Sequence, residues 1–204
     1  MNLSPSFHRP AVALLAVFLV AAAAAADPAP ATRPSPAPTI TLADVNGRPH
    51  APLAGAATRP ATVLIFTLPD CPVANGYAPE VNRIVAAYAR RGVAVYLVHV
   101  DDTLTPADAR RHAAEYAFTC PVLLDPGHAL VAAAGATVTP EAAVFNATGA
   151  LVYRGRIDDR YVAPGKARIE PTVRDLRNVL DALLAGRAVT FTTTRAFGCY
   201  IPTK

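Results

Sequence analysis

The stretch ATVLIFTLPDCPVANGYAP, residues 61–79, decides how this chain folds. Residues 61–67 form an unbroken apolar run, the signature of a strand covered on both faces. Pro69 and Asp70 then break the run and lead to Cys71. Beyond it, Ala78, Val81, Ile84, Val85 and Tyr88 recur at helical spacing and predict a helix with one apolar stripe. Glu80 lies early in that helix, Arg90 and Arg91 lie in its last turn, and Gly92 stops it. Cys71 is therefore expected four residues past a buried strand, at a helix start, where unpaired N–H groups favour thiolate over thiol.

The flanking sequence extends this strand–helix unit in both directions. Upstream, residues 39–44 and the turn at Asn46-Gly47 read as a short hairpin. Downstream, residues 93–100 (VAVYLVHV) predict a second buried strand. Thr105, Pro106 and Asp108 open a helix running to about Phe118. A short strand over 121–124 and a helix over 127–134 follow, and residues 142–146 and 151–155 flank Ala147-Thr148-Gly149 as an antiparallel hairpin. The last helix opens at 171–175, carries Val173, Leu176, Val179, Leu180, Leu183 and Leu184 on one face, and ends at Gly186. Strands alternating with helices imply parallel pairing, and the late hairpin adds antiparallel strands. The fold class expected is an α/β three-layer sandwich with a mixed central sheet and an N-terminal β-hairpin.

Residues 1–26 combine a basic start, an apolar run from Ala11 and small residues before Asp27, the pattern of a cleavable secretory signal. The expected location is periplasmic or secreted. Residues 27–38 (DPAPATRPSPAP) form a Pro/Ala-rich linker, residues 39–186 the domain, and residues 187–204 a tail carrying Cys199. No later stretch is long and apolar enough to span a bilayer. Charges alternate in sign without a basic stripe, so nucleic acid is not an expected partner.

The chain has three cysteines, Cys71, Cys120 and Cys199, and neither a C-x-x-C nor a Cys/His cluster with metal-ligand spacing. No cofactor or metal is expected. In this topology Cys120 precedes a parallel strand whereas Cys71 follows one, which puts them at opposite edges of the sheet, too far apart for a disulfide. Cys120 reads as a small buried hydrophobe. Cys199 lies in an extended tail that can fold back to the edge carrying Cys71, with Phe197, Tyr200 and Ile201 as apolar anchors and Gly198 allowing close approach. A Cys71–Cys199 pair is proposed on that ground. A disordered tail or an intermolecular bridge are the alternatives.

On these residues the sequence resembles the thioredoxin-like superfamily, and within it the exported redoxin branch (the alkyl hydroperoxide reductase/thiol-specific antioxidant group). Pro79 lies eight residues after Cys71 and follows an Ala, at the offset of the helix-kinking Pro of thioredoxins. Val138-Thr139-Pro140 resembles the family's cis-Pro loop, which makes Pro140 the residue expected to face Cys71. The resemblance implies an exported thiol-based oxidoreductase, a thiol–disulfide oxidoreductase or peroxiredoxin-like enzyme. Cys71 would attack a disulfide or peroxide and Cys199 would resolve the intermediate, the partner being a thiol/disulfide protein or a small oxidant.

The chain also departs from the pattern. Ala74 stands at the second cysteine of C-x-x-C, and Leu68 stands where peroxiredoxins carry a Thr three residues before their Cys. Pro140 falls where they carry an Arg, and residue 75 is Asn where copper-delivery relatives carry Cys. Two alternatives follow: a non-catalytic module with a structural Cys71–Cys199 bridge, and a metal or cofactor-assembly helper using Cys71 with His99. His99 reads mainly as a hydrogen-bonded core residue, His128 as capping or surface, and residues 154–160 as a solvated charged loop.

Overall fold

A computed structural model describes Met1, residues 39–163 and residues 165–202. The expected signal segment and linker lie outside the described residues. In chain order the elements begin with β1 (Leu42–Ala43), β2 (Pro49–His50), β3 (Ala61–Thr67), α1 (Pro72–Gly76), α2 (Ala78–Tyr88) and β4 (Ala94–His99). There follow α3 (Pro106–Glu115), β5 (Val122–Leu124), α4 (Ala129–Ala134), β6 (Val138–Thr139), β7 (Glu141–Asn146) and β8 (Leu151–Gly155). The chain closes with β9 (Tyr161–Ala163), β10 (Lys166–Ala167), α5 (Asp175–Leu184), β11 (Thr192–Thr193) and β12 (Cys199–Tyr200).

Six strands form the central sheet in the order β11-β8-β7-β3-β4-β5. β3, β4 and β5 run parallel, and β7 pairs antiparallel with both β3 and β8. Because β3 is central, its alternating side chains feed two cores. Val63 and Ile65 pack with Val81, Ile84, Leu176 and Leu180, which places α2 and α5 on one face. Leu64 and Phe66 pack with Leu130, Val131 and Ala134, which places α4 on the other. The mixed sheet covered by helices on both faces is the expected three-layer α/β sandwich, with the β1–β2 hairpin beside β5 through the Asp44–Leu123 bridge.

Several boundaries differ from the sequence reading. The first helix is two pieces, with Tyr77 between α1 and α2. α3 stops at Glu115, three residues short of the expected Phe118. α5 starts at Asp175, and Val173 lies outside it and is exposed. α4 is capped by Asp125 rather than His128: its carboxylate accepts from the N–H groups of Ala129, Leu130 and Val131, while the His128 ring meets Val100 O at 2.7 Å.

Residues 154–160 are not a solvated loop. Ile157, Asp158 and Asp159 are buried. Tyr77 donates to the Asp158 carboxylate at 2.7 Å, and Asp159 accepts from the N–H groups of Thr172 and Val173. The buried acids are tolerated because each has hydrogen-bond donors in place. Glu80 follows the same rule, held at 2.7 Å by both Arg83 and Arg177, so that an ion pair ties α2 to α5.

Candidate active site

At the carboxyl end of β3 the chain turns through residues 68–70 and places Cys71 as the N-cap of α1. Its sulfur accepts from the Ala74 N–H at 3.5 Å. Asn75 fixes the turn from the helix side, donating to Pro69 O at 2.6 Å while its carbonyl meets His112 Nε2 at 2.9 Å. The helix dipole contributes less than the sequence suggests, because α1 has only five residues and breaks at Tyr77. Specific hydrogen bonds to the sulfur carry the effect instead.

The second wall is the loop before β7. The Thr139–Pro140 peptide is cis, and Thr139 O lies 3.1 Å from Cys71 Sγ. The third is the tail. β12 runs antiparallel to β6, with Cys199 opposite Thr139 and Tyr200 opposite Val138. Ile201 N–H donates to Thr137 O at 3.0 Å, and Ile201 sinks into the core on the α4 face at 7% exposure. Tyr200 points the other way and is 84% exposed, so it is no anchor, since successive strand residues face opposite sides. Phe197 is half-buried, with the Arg195 guanidinium over its ring at 5.0 Å. Gly198 makes the approach possible: a Cβ there would fall 1.8 Å from Thr139 O and 2.6 Å from Thr139 C.

Cys71, Cys199 and Pro140 are thus brought together, and Cys120 is not. Cys71 is 1% exposed beneath the tail, and Cys199 is half-buried beside it. Both are thiols in this structure. Burial pushes the Cys71 thiol up, but hydrogen bonds outweigh it. The Cys199 S–H donates to the Cys71 sulfur, with the Ala74 N–H and the Thr139 side chain also on it, and the net pKa falls below the ordinary thiol value. Cys199 pays the reverse: burial, the same hydrogen bond and the facing negative charge push it up to about 11. At the far end of the sheet, burial raises Cys120 to about 11 and leaves it unreactive in its apolar setting.

This asymmetry is testable by pH. Removing the Cys199 S–H donor destabilises the Cys71 thiolate, so Cys199→Ala is expected to move the Cys71 ionisation midpoint to higher pH. Ultraviolet thiolate absorbance against pH, with Cys120→Ser as background, reads the shift; an unchanged or lower midpoint would contradict it.

His99 does not join the site. It is fully buried, burial and the neighbouring His112 hold its pKa down at about 3, and its ring meets that of His112 edge-on at 4.9 Å. Neither ring nitrogen of His99 has a hydrogen-bond partner among the described residues, unlike the bonded core histidine expected. Among the described residues no group of three or more His, Cys, Asp and Glu side chains is arranged to hold a metal. The sequence reading passed over Thr139, whose place before Pro140 was the signal available, and His112, whose link to Asn75 spans 37 residues.

The fold has solved counterparts. A hypothetical protein from Sinorhizobium meliloti 1021 is 28% identical with a TM-score of 0.70, the match covering 79% of this chain and 89% of that one. An uncharacterized conserved protein from Geobacillus kaustophilus is 28% identical with a TM-score of 0.72, covering 82% and 89%. The thioredoxin domain of a thiol-disulfide oxidoreductase from Bacteroides vulgatus shares the fold at 14% identity and a TM-score of 0.52, covering 71% and 92%. No curated protein matches the chain. No helix among the described residues is long and apolar enough to cross a membrane. The Redoxin family model matches residues 27–178, most of the chain and the whole strand–Cys71–helix unit, and the chain belongs to the Redoxin family, within the thioredoxin-like superfamily.

Proposed function

We propose that this protein is an exported thiol–disulfide oxidoreductase whose redox couple is Cys71 and Cys199. The observation carrying this reading is the pairing of the tail strand with the cis-Pro loop, which sets Cys199 opposite Thr139, the residue whose carbonyl lies 3.1 Å from the Cys71 sulfur. A C-x-x-C enzyme takes its second sulfur from the next helical turn. Here Ala74 fills that position and the tail supplies the sulfur across the site instead. In the reducing direction the dithiol and a disulfide RSSR′ give the Cys71–Cys199 disulfide, RSH and R′SH, with two electrons passing to the substrate sulfurs. The partner class is a thiol or disulfide.

The thiol-oxidoreductase name of the Bacteroides vulgatus protein agrees with this reading, as does the secretory pattern of residues 1–26. The couple favours disulfide exchange over peroxide reduction, because Cys71 has the Thr139 carbonyl against it and Leu68 in place of the peroxiredoxin Thr. Equilibration against mixtures of reduced and oxidised glutathione tests the reading. One two-electron transition is expected, unaltered in Cys120→Ser and lost in either Cys71→Ser or Cys199→Ser. A thiol count that stays constant across the glutathione range would sink it, and a bridge that never reduces would favour a structural role.

A further inference from the structure

A cleft of about 670 Å³ opens beside the tail, in the size range of small-molecule sites. Val73, Tyr161, Ala163 and Phe197 give it apolar walls, and Cys199 lines it. Cys71 does not line it and is 1% exposed. Two arginines also face the cleft. Arg154 is committed to Glu141 at 3.5 Å and to Gly135 O at 2.6 Å. Arg195 is exposed, stacks only on Phe197, and has no ion-pair partner among the described residues. The cleft therefore offers a sulfur, an apolar surface for a small body, and one uncompensated positive charge.

We propose that this cleft admits a small carboxylate-bearing thiol, which attacks the sulfur of Cys199 in the Cys71–Cys199 disulfide and expels Cys71. The inference rests on the redox couple proposed above and adds to it the entry port, the ligand class and the order of events. The attacking thiolate RS⁻ forms an R–S–S–Cys199 bond as the Cys71–Cys199 bond breaks, and the electron pair leaves on Cys71 sulfur. A second RS⁻ then attacks the R sulfur of the mixed disulfide, giving RSSR and releasing Cys199, which takes a proton from water. Two thiols are oxidised and one protein disulfide is reduced. Leaving-group chemistry points the same way, since the departing Cys71 sulfur is met by the Ala74 N–H at 3.5 Å. The same path run backwards resolves a Cys199 mixed disulfide with the Cys71 thiolate. This inverts the roles that the family resemblance implies, in which Cys71 attacks first.

The test uses the oxidised full-length protein with glutathione as the anionic probe, cysteamine as the cationic one and dithiothreitol as the neutral one. After brief exposure to glutathione, acid quenching and alkylation, peptide mapping is expected to find glutathione on Cys199 and the alkyl group on Cys71. Arg195→Glu is expected to slow reduction by glutathione about fivefold, on the scale of one unscreened charge contact, to speed reduction by cysteamine, and to leave dithiothreitol unaffected. Glutathione on Cys71, or an Arg195→Glu variant that treats all three reductants as the wild type does, overturns the inference while leaving the redox couple standing. Oxidised protein with no Cys71–Cys199 bridge removes both.

Discussion

Cys71→Ser is expected to abolish disulfide-exchange turnover, a loss on the order of a thousandfold or more, as for removal of an enzyme nucleophile. Serine can neither form the bridge to Cys199 nor leave from it. The two remaining thiols do not replace it, because Cys199 alone cannot close a bridge and Cys120 lies at the opposite edge of the sheet, where burial raises it to about 11. Steady-state reduction of a small disulfide by the protein measures the effect. Cys71→Ser is also expected to accumulate a small-thiol adduct on Cys199 that nothing resolves, whereas Cys120→Ser keeps wild-type turnover. Residual turnover within tenfold of wild type in Cys71→Ser would contradict the assignment.

The second large effect belongs to a residue with no side chain. Gly198→Val places a Cβ where Thr139 O and C already stand, at 1.8 and 2.6 Å, and both are backbone atoms that cannot swing aside. Thr139 leads through Pro140 directly into β7, which is paired along its length with β3 in the central sheet, so β12 must lift instead. Lifting it withdraws Cys199 from Cys71 and uncovers the buried thiol. Alkylation of Cys71 by iodoacetamide is expected to accelerate at least tenfold, since a 1%-exposed sulfur becomes open to solvent. The yield of the Cys71–Cys199 bridge falls in parallel. Global stability changes much less: the loss of Ile201 burial is about 2 kcal/mol, the full worth of one aliphatic side chain. A Gly198→Val protein with slow Cys71 alkylation and normal bridge yield would show that the tail does not cover the site.

The parts of this molecule written in local pattern were legible in the sequence. The apolar run of β3, the helical stripe of α2 and the intervening turn are enough to put Cys71 at a sheet edge. The order of strands and helices was enough to send Cys120 to the opposite edge. Gly198 and the apolar residues around Cys199 suggested a tail able to reach back, and the tail does lie against Thr139. The alternation of that strand decided which residue anchors it, and assigning Tyr200 to the interior ignored the alternation.

What stayed hidden depends on pairs distant in sequence. β6, β11 and β12 have two residues each, too short for any periodicity, and exist because a distant segment pairs with them. Asp158 and Asp159 read as solvated because their partners, Tyr77 and residues 172–173, are 81 and 13–14 residues away. Asp125 caps α4 from four to six residues before the N–H groups it binds, a longer reach than local pattern shows, whereas His128 stands at the helix start itself. The Redoxin match ends at residue 178, so the family pattern does not extend to Cys199; only the strand pairing brings that sulfur to Cys71.

The most direct test of the Cys71–Cys199 couple is peptide mapping of the air-oxidised protein under non-reducing conditions, before and after treatment with a thiol. A single bridge joining Cys71 to Cys199, with Cys120 as a free thiol and the bridge opening reversibly on reduction, is the expected result. A bridge that includes Cys120, or three free thiols after oxidation, would contradict it.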